Sequence, residues 1–256
     1  MLAGWLAGGV PAASFTIVDP FLAEAPAGAT LLRAAPADAA PFDVVLLGFK
    51  PQQLVEAVPP IAPLVGEGTI LLSVLAGVDL ATLRRLFPRA RAIVRIMPNL
   101  AAALGKSPIG LVAEEPGAGD AGARAAVDAL MAPLGQAEWL PAESQMDLVT
   151  ALAGSGPAFV YRMIDALAAG AADLGLPREQ ADRLALSMVE GAAALAAASP
   201  HSPGDLADRV ASPGGTTRAG LDVLDTDGRL AALMRETLRA ARDRSAEMTR
   251  EAQARA

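Results

Sequence analysis

The chain has 256 residues, a length that fits one large domain or two modest ones and that allows a substantial core. Hydrophobic residues make up 53% and charged residues 19%, which excludes a disordered chain, and the net charge of -7 disfavours binding to a nucleic-acid backbone. With no cysteine and one histidine, the chain cannot form a disulfide, a cysteine-ligated metal centre or a multi-histidine metal site.

The apolar opening, residues 1–10, lacks a basic segment and runs directly into a strand-like sequence, so it does not resemble a signal peptide. Later apolar stretches such as residues 192–198 are too short to span a bilayer, which requires about 20 residues. We therefore expect a folded cytoplasmic protein that binds neither membrane nor nucleic acid.

Up to about residue 141, short apolar or β-branched runs alternate with segments of helical length. The predicted strands are residues 15–18, 43–47, 69–74, 92–96, 109–112 and 137–140. The predicted helices between them are residues 51–65, 80–87 and 120–134. Most strand runs are continuously apolar, as expected for strands buried on both faces, and the βαβ alternation predicts a doubly wound, Rossmann-like parallel sheet.

Beyond residue 143 the strand signals stop and long helical segments follow, separated by glycine and proline. The predicted helices are residues 144–153, 157–174, 178–198, 204–211, 216–224 and 228–252. The sequence thus predicts an α/β domain over residues 1–142 and an all-α domain over residues 143–256.

Small residues and one lysine follow three of the predicted strands. They are Gly48, Phe49, Lys50 and Pro51, then Ala76 and Gly77, then Pro98 and Asn99. Because carboxyl ends of strands in an open α/β sheet face the ligand crevice, Lys50 would lie near a nucleotide phosphate or ribose. An equally good interpretation is that Lys50 is an ordinary solvated loop charge.

A glycine-containing turn precedes the predicted helix at residue 216. Its sequence, Ser-Pro-Gly-Gly-Thr-Thr from Ser212 to Thr217, leaves backbone N–H groups without intrahelical acceptors, and these groups can receive a carboxylate. The hydroxyls of Ser212, Thr216 and Thr217 can supplement them. The alternative is a common helix connection with a threonine N-cap.

Five runs in this order resemble the pyrroline-5-carboxylate reductase family. They are Gly48-Phe-Lys-Pro51, Ser73-Val-Leu-Ala-Gly77, Arg95-Ile-Met-Pro-Asn99, Gly154-Ser-Gly-Pro-Ala158 and Ser212-Pro-Gly-Gly-Thr-Thr217. Each run alone is weakly informative, but the ordered set covers essentially the whole chain. The resemblance implies an oxidoreductase of proline biosynthesis that reduces Δ1-pyrroline-5-carboxylate to L-proline with NADPH or NADH, and that forms a homodimer or larger homo-oligomer through its helical domain.

The resemblance also implies roles for individual residues. The substrate would contact Ser212, Gly214, Gly215, Thr216 and Thr217, with Thr217 placed at the ring nitrogen as the catalytic residue. The cofactor would contact Gly48, Phe49, Lys50 and Pro51, with Ala76, Gly77, Pro98 and Asn99 flanking the nicotinamide. We expect no metal, a loop position for His201 and a packing role for Tyr161.

Two features depart from the family pattern. We find no Gly-x-Gly-x-x-Gly directly after a predicted strand, so the chain begins within the family's first helix and the central strand is missing, which would leave its two neighbours unpaired. Met1 is then an internal methionine or the start of a shortened chain, unless this is the true protein and it binds cofactor poorly or not at all.

The second departure is Asp19, which would accept hydrogen bonds from a ribose 2′-hydroxyl and repel a 2′-phosphate, and therefore favours NADH.

Three other functions stay open at this point. A catalytically silent dimerisation protein would keep the helical domain without the cofactor turn. A reductase of another cyclic imine would use the same site. A hydroxyacid dehydrogenase would need a catalytic lysine on a helix in place of the Pro-Gly-Gly turn, and no lysine is so placed.

Overall fold

A computed structural model describes residues 1–114 and 120–253. The strands are β1 (Thr16–Val18), β2 (Thr30–Leu32), β3 (Val44–Leu47), β4 (Ile70–Ser73), β5 (Ala92–Met97), β6 (Ser107–Ala113) and β7 (Gly135–Trp139). The helices are α1 (Leu2–Ala7), α2 (Leu54–Ile61), α3 (Leu80–Leu86), α4 (Ala121–Met131), α5 (Met146–Val149), α6 (Gly156–Asp173), α7 (Arg178–Ala198), α8 (Pro203–Arg209), α9 (Thr216–Asp225) and α10 (Arg229–Gln253).

The strands form two sheets. The larger has the order β3-β4-β5-β6-β7, and the smaller consists of β1 and β2 in parallel. The Rossmann-like class and the helical second part are confirmed. Among the described residues, β1 pairs only with β2 and β3 pairs only with β4, so β1 and β3 are both edge strands.

One strand of the larger sheet runs against the others. β6 pairs antiparallel with β5, with Met97 opposite Gly110, whereas β6 and β7 are parallel to each other. The prediction of a wholly parallel sheet is wrong here, because the short 3₁₀ connection Leu100–Leu104 is not the crossover that a parallel neighbour requires. The amino ends of β6 and β7 therefore lie at the same edge as the carboxyl ends of β3, β4 and β5.

The larger sheet is buried on both faces, as the continuous apolar runs predict. On one face, Leu71 and Ile93 pack with residues of α2 and α3. On the other face, Leu72 and Val94 pack with residues of α1 and α4. The side chains of neighbouring residues in one strand thus pack into two separate core clusters, one on each face of the sheet. The sheet is therefore held between two helical layers.

Several element boundaries differ from the sequence prediction. β2 was not predicted. The helix predicted at residues 51–65 is two 3₁₀ turns flanking α2, which carries Pro59 and Pro60 and is followed by a further proline in the second turn. The helix predicted at residues 144–153 is α5 followed by a π-helix, Thr150–Gly154.

The chain divides into two compact units, Met1–Gly154 with the part of α10 from Ala240 onward, and Ser155–Arg239. In the second unit, α6 and α7 meet through small buried side chains, Ala168, Ala181 and Ala185. Many large apolar side chains of this unit are exposed. They include Val160, Met163 and Leu167 on α6 and Leu184, Met188 and Leu195 on α7.

Two smaller observations complete the description of the fold. Tyr161 is 65% exposed on α6, so the expectation that it packs within the chain is wrong for the isolated molecule. No helix within the described ranges is long and apolar enough to cross a membrane.

Candidate active site

Three strand ends lie side by side in the first unit. Leu47 of β3 is paired with Ser73 of β4, and Ser73 is paired with Arg95 of β5. The segments that follow these residues carry Gly48 to Pro51, Ala76 with Gly77, and Pro98 with Asn99. The structure therefore brings all the strand-end residues predicted from the sequence to one edge of one sheet.

The backbone at this edge leaves room for a ligand. A Cβ atom built on Gly48 would meet no heavy atom within 4 Å, so the space above this position is open. Gly77 has φ +80°, a left-handed conformation that favours glycine. Phe49 packs against the core, and the exposed Lys50 donates its backbone N–H to Oε1 of Gln53 at 3.1 Å. These features fit the flat ring and the chain of a dinucleotide.

Asn99 is held by three hydrogen bonds. Its Oδ1 accepts from the N–H of Ala101 at 2.9 Å, and its Nδ2 donates to the carbonyl of Ala153 at 3.0 Å. Its own backbone N–H donates to Oγ of Ser107, the first residue of β6, at 2.9 Å. The antiparallel strand thus contributes to the ligand edge through its amino end, a contribution that the sequence pattern did not predict.

A buried ion pair lies behind the same edge. Arg95, which is 6% exposed, donates from Nη1 to Oε1 of Glu143 at 2.6 Å. The same oxygen accepts the backbone N–H of Leu80 at 2.8 Å, at the start of α3. Glu143 therefore connects the end of β5 with the end of the loop that carries Ala76 and Gly77. Glu143 was not predicted to be part of the site. The only indication in the sequence was Arg95, a charged residue in an otherwise apolar strand.

Asp19 follows β1 in the smaller sheet, as expected. Its Oδ1 accepts the backbone N–H groups of Phe21 at 2.7 Å and Leu22 at 2.9 Å. These two bonds, with the nearby guanidinium of Arg33, lower the pKa of the Asp19 carboxyl below its ordinary value. The carboxylate is therefore ionised at neutral pH, as recognition of a ribose diol requires.

The sequence does contain one Gly-x-Gly-x-x-Gly run, from Gly117 to Gly122, five residues beyond the predicted strand 109–112. Residues 115–119 lie outside the described part of the chain. In the described part, Asp120 caps α4 by accepting the N–H of Ala123 at 2.9 Å, and it pairs with Arg91 at 2.8 Å. A carboxylate therefore occupies the N-terminus of α4, where a phosphate would otherwise bind.

The Pro-Gly-Gly turn lies in the second unit. Gly214 has φ +70°, and the N–H of Gly215 donates to the carbonyl of Ser212 at 2.9 Å, which closes the turn. The Gly215 N–H is thus used within the turn. The first N–H groups of α9, on Thr216 and Thr217, have no intrahelical acceptor and no side-chain cap.

The start of α9 is held in place by an ion pair. Arg218 donates to Oδ1 of Asp208 on α8 at 2.7 Å. Ser212, Gly214, Thr216 and Thr217 are exposed. An exposed turn that presents two hydroxyls and unpaired N–H groups is suited to a carboxylate.

The single histidine lies in a loop. Within residues 1–114 and 120–253, no group of three or more His, Asp or Glu side chains could hold a metal ion. His201 lies in the connection between α7 and α8, outside any helix.

Comparison with known proteins identifies the family of the chain. The family model for pyrroline-5-carboxylate reductase dimerisation matches residues 143–248, and the model for ketopantoate reductase PanE/ApbA matches residues 15–117. A pyrroline-5-carboxylate reductase from Pseudomonas aeruginosa is 36% identical over 253 residues, which cover 97% of this chain and 92% of the relative. The chain belongs to the pyrroline-5-carboxylate reductase family. This membership confirms the resemblance seen in the five sequence runs.

Other family members extend the comparison. A pyrroline-5-carboxylate reductase from Synechocystis is 40% identical over 208 residues, covering 80% of this chain and 75% of the relative. The solved pyrroline-5-carboxylate reductase from Coxiella burnetii has a TM-score of 0.88 at 29% identity and covers 96% of this chain and 93% of its own. A pyrroline carboxylate reductase from Plasmodium falciparum, solved with NADP bound, has a TM-score of 0.78 at 22% identity, which supports the fold alone.

Proposed function

We propose that this chain is a pyrroline-5-carboxylate reductase, which reduces Δ1-pyrroline-5-carboxylate to L-proline with NAD(P)H in proline biosynthesis. The observation that carries the proposal is membership of the family over nearly the full length of the chain. The exposed turn at the start of α9 supports it, because the substrate is a cyclic imine that bears a carboxylate.

The cofactor lies, in this proposal, along the edge formed by the carboxyl ends of β3, β4 and β5. Gly48, Phe49, Lys50 and Pro51 contact its central part, and Ala76, Gly77, Pro98 and Asn99 flank the nicotinamide. Asp19 binds the adenine ribose. When bound, NAD(P)H supplies the hydride that adds to the C=N carbon of the substrate.

The substrate carboxylate is bound by Ser212 and by the N–H groups at Gly214, Thr216 and Thr217, with Gly215 shaping the turn. Thr217 donates its hydroxyl toward the ring nitrogen and orients it, and it assists protonation there. A protonated C=N bond is already electrophilic, so the remaining task of the enzyme is to hold donor and acceptor in the right orientation. This explains how a chain with no cysteine and one histidine can catalyse the reaction.

The assay that tests the proposal follows NAD(P)H oxidation and proline formation with Δ1-pyrroline-5-carboxylate. Δ1-Pyrroline, which lacks the carboxylate, serves as the matched control substrate and should react far more slowly. Δ1-Pyrroline-2-carboxylate distinguishes a reductase of another cyclic imine. If no proline forms with either NADH or NADPH, the proposed function is wrong.

The proposal includes a domain boundary and a cellular location. The cofactor domain is assigned to residues 1–142 and the helical domain to residues 143–256, and the family model of the dimerisation region begins at residue 143. The enzyme is assigned to the cytoplasm, since the absence of cysteine suits a reducing compartment. Fractionation of cells that express the tagged chain tests the location.

We expect NADH to give the higher kcat/KM of the two cofactors, because the ionised Asp19 repels a 2′-phosphate. Replacing Asp19 with asparagine removes the charge and should shift the NADH to NADPH ratio of kcat/KM by about tenfold toward NADPH. Asp38→Asn, an exposed carboxylate on the same part of the chain, is the control and should leave the ratio unchanged. A higher kcat/KM with NADPH in the unaltered chain would refute the preference.

We also propose that the exposed apolar side chains of α6 and α7 form a homodimer interface. Leu184, which is 57% exposed, lies on α7 four residues before Met188. Leu184→Glu would bury a charge at such an interface and should convert the dimer to monomer in analytical ultracentrifugation. Val55→Glu, at an equally exposed apolar position on α2, should leave the mass unchanged. A Leu184→Glu chain that stays dimeric would place the interface elsewhere.

A further inference from the structure

The loop after β1 is held by two sets of hydrogen bonds. From within, Oδ1 of Asp19 accepts the N–H groups of Phe21 and Leu22. From outside, the guanidinium of Arg33 donates to the carbonyl of Asp19 at 3.3 Å, to that of Leu22, and to that of Ala23 at 3.3 Å. The side chain of Arg33 therefore binds three carbonyl groups of the loop that carries Asp19.

The sheet explains why Arg33 can reach this loop. Arg33 directly follows β2, and β2 pairs in parallel register with β1, with Val18 opposite Leu32. Asp19 and Arg33 are thus the residues that directly follow the paired ends of two adjacent parallel strands. The backbone N–H of Asp19 also donates to the carbonyl of Leu32 at 3.0 Å, which extends the pairing to the start of the loop.

The contacts of Asp19 leave it suited to one kind of ligand group. Both backbone N–H groups bind Oδ1, and within the described residues Oδ2 has no hydrogen-bond donor. A free carboxylate oxygen accepts well from a vicinal diol and repels a phosphate. The positive charge of Arg33 works against this selectivity, but three of its five N–H groups, including both on Nη1, donate to carbonyl oxygens of the loop and are not available to a phosphate.

We propose that Arg33 determines the nucleotide preference by an indirect route: its N–H groups hold the loop at residues 19–23, so that Asp19 is presented to the ribose diol while most of the N–H groups of Arg33 are engaged by the loop. Arg33 is a positioning residue in this scheme. The inference rests on the proposed use of a nicotinamide dinucleotide, and it assigns to Arg33 the opposite role from a phosphate ligand.

Binding of two nucleotides to the full chain, without substrate, tests the inference. The probes are ADP, which has a free ribose diol, and adenosine 2′,5′-bisphosphate, which carries the 2′-phosphate, and both are measured by titration calorimetry. The unaltered chain should bind ADP more tightly. Arg33→Met should weaken ADP binding about fivefold, the effect of losing a hydrogen-bonded contact, and should weaken the bisphosphate less.

A double substitution separates positioning from direct contact. If Arg33 acts through Asp19, then Arg33→Met should weaken ADP binding no further in a chain that already carries Asp19→Asn. Arg33→Lys keeps the charge without the planar fork and should resemble Arg33→Met. The control is Arg89→Met, an exposed arginine outside the proposed site, which should change neither affinity.

Four results would overturn the inference. They are a larger loss of bisphosphate than of ADP binding in Arg33→Met, unchanged affinities in Arg33→Met, full recovery of ADP binding by Arg33→Lys, and an unaltered chain that binds neither probe. A chain that shows the expected nucleotide pattern but does not reduce Δ1-pyrroline-5-carboxylate would refute the proposed reaction and leave the role of Arg33 supported. The two failures are therefore distinguishable.

Discussion

Thr217→Ala should lower kcat about 100-fold, the lower end of what a positioned group that assists proton transfer contributes. In the proposed mechanism the lost hydroxyl is the one that orients the ring nitrogen. The fold should be unaffected, because Thr217 is exposed in the first turn of α9 and alanine is a good helix former. Steady-state kinetics with saturating cofactor measure kcat, and a thermal unfolding scan measures the stability of the fold.

Thr226→Ala is the matched control for this experiment. Thr226 follows the same helix and is exposed, and its Oγ1 donates to the carbonyl of Asp222 at 2.6 Å. Its loss should change kcat by less than about twofold, since surface substitutions away from a site rarely have larger effects. An unchanged kcat in Thr217→Ala would remove Thr217 from the proposed mechanism.

The second large effect concerns stability. Arg95→Met should lower the free energy of unfolding by about 2 kcal/mol, because the substitution removes the charge-assisted hydrogen bond that the buried guanidinium donates to Glu143. Glu143 also loses its link between β5 and the start of α3, although part of the cost is recovered because its side chain is 30% exposed. Urea unfolding of the purified chain measures the change.

The exposed pair Arg91 and Asp120 provides the comparison for the buried one. Arg91 directly precedes β5, its side chain is 42% exposed, and it pairs with Asp120 at 2.8 Å. Arg91→Met should cost no more than about 1 kcal/mol, since the guanidinium of Arg91 is itself well exposed to water and such ion pairs contribute little. Equal losses in Arg91→Met and Arg95→Met would show that the burial of Arg95 has no energetic consequence.

The apolar runs of the sequence predicted the sheet because they reflect its burial. All four residues of β4 are buried, and so is every residue of β5 except Met97. Such runs carry no information about strand direction, so the reversal of β6 could not be predicted. β2 was missed for a related reason: three residues within a loop-like stretch give too short a pattern, and its pairing with β1 depends on register.

The strand-end site residues were predictable because topology places carboxyl ends of neighbouring strands together. Polar contacts between residues that are distant in the sequence were not predictable. Arg95 and Glu143 are 48 positions apart, and nothing in either local sequence indicates that they pair. Likewise, the sequence indicated that the Pro-Gly-Gly turn offers N–H groups, but only the folded turn shows that the Gly215 N–H is used by Ser212.

The division of α10 between the two units has a consequence for biosynthesis. The part of this helix from Ala240 onward packs with the first unit, and Ser245 donates from Oγ to Oδ1 of Asp147 at 2.7 Å. A ribosome that has released residues 1–154 has therefore delivered an incomplete first unit, which gains its last helical segment only after the entire second unit has been translated. Vectorial folding should consequently pause at a partly assembled first unit, and the two units cannot be separated by a single cut in the chain.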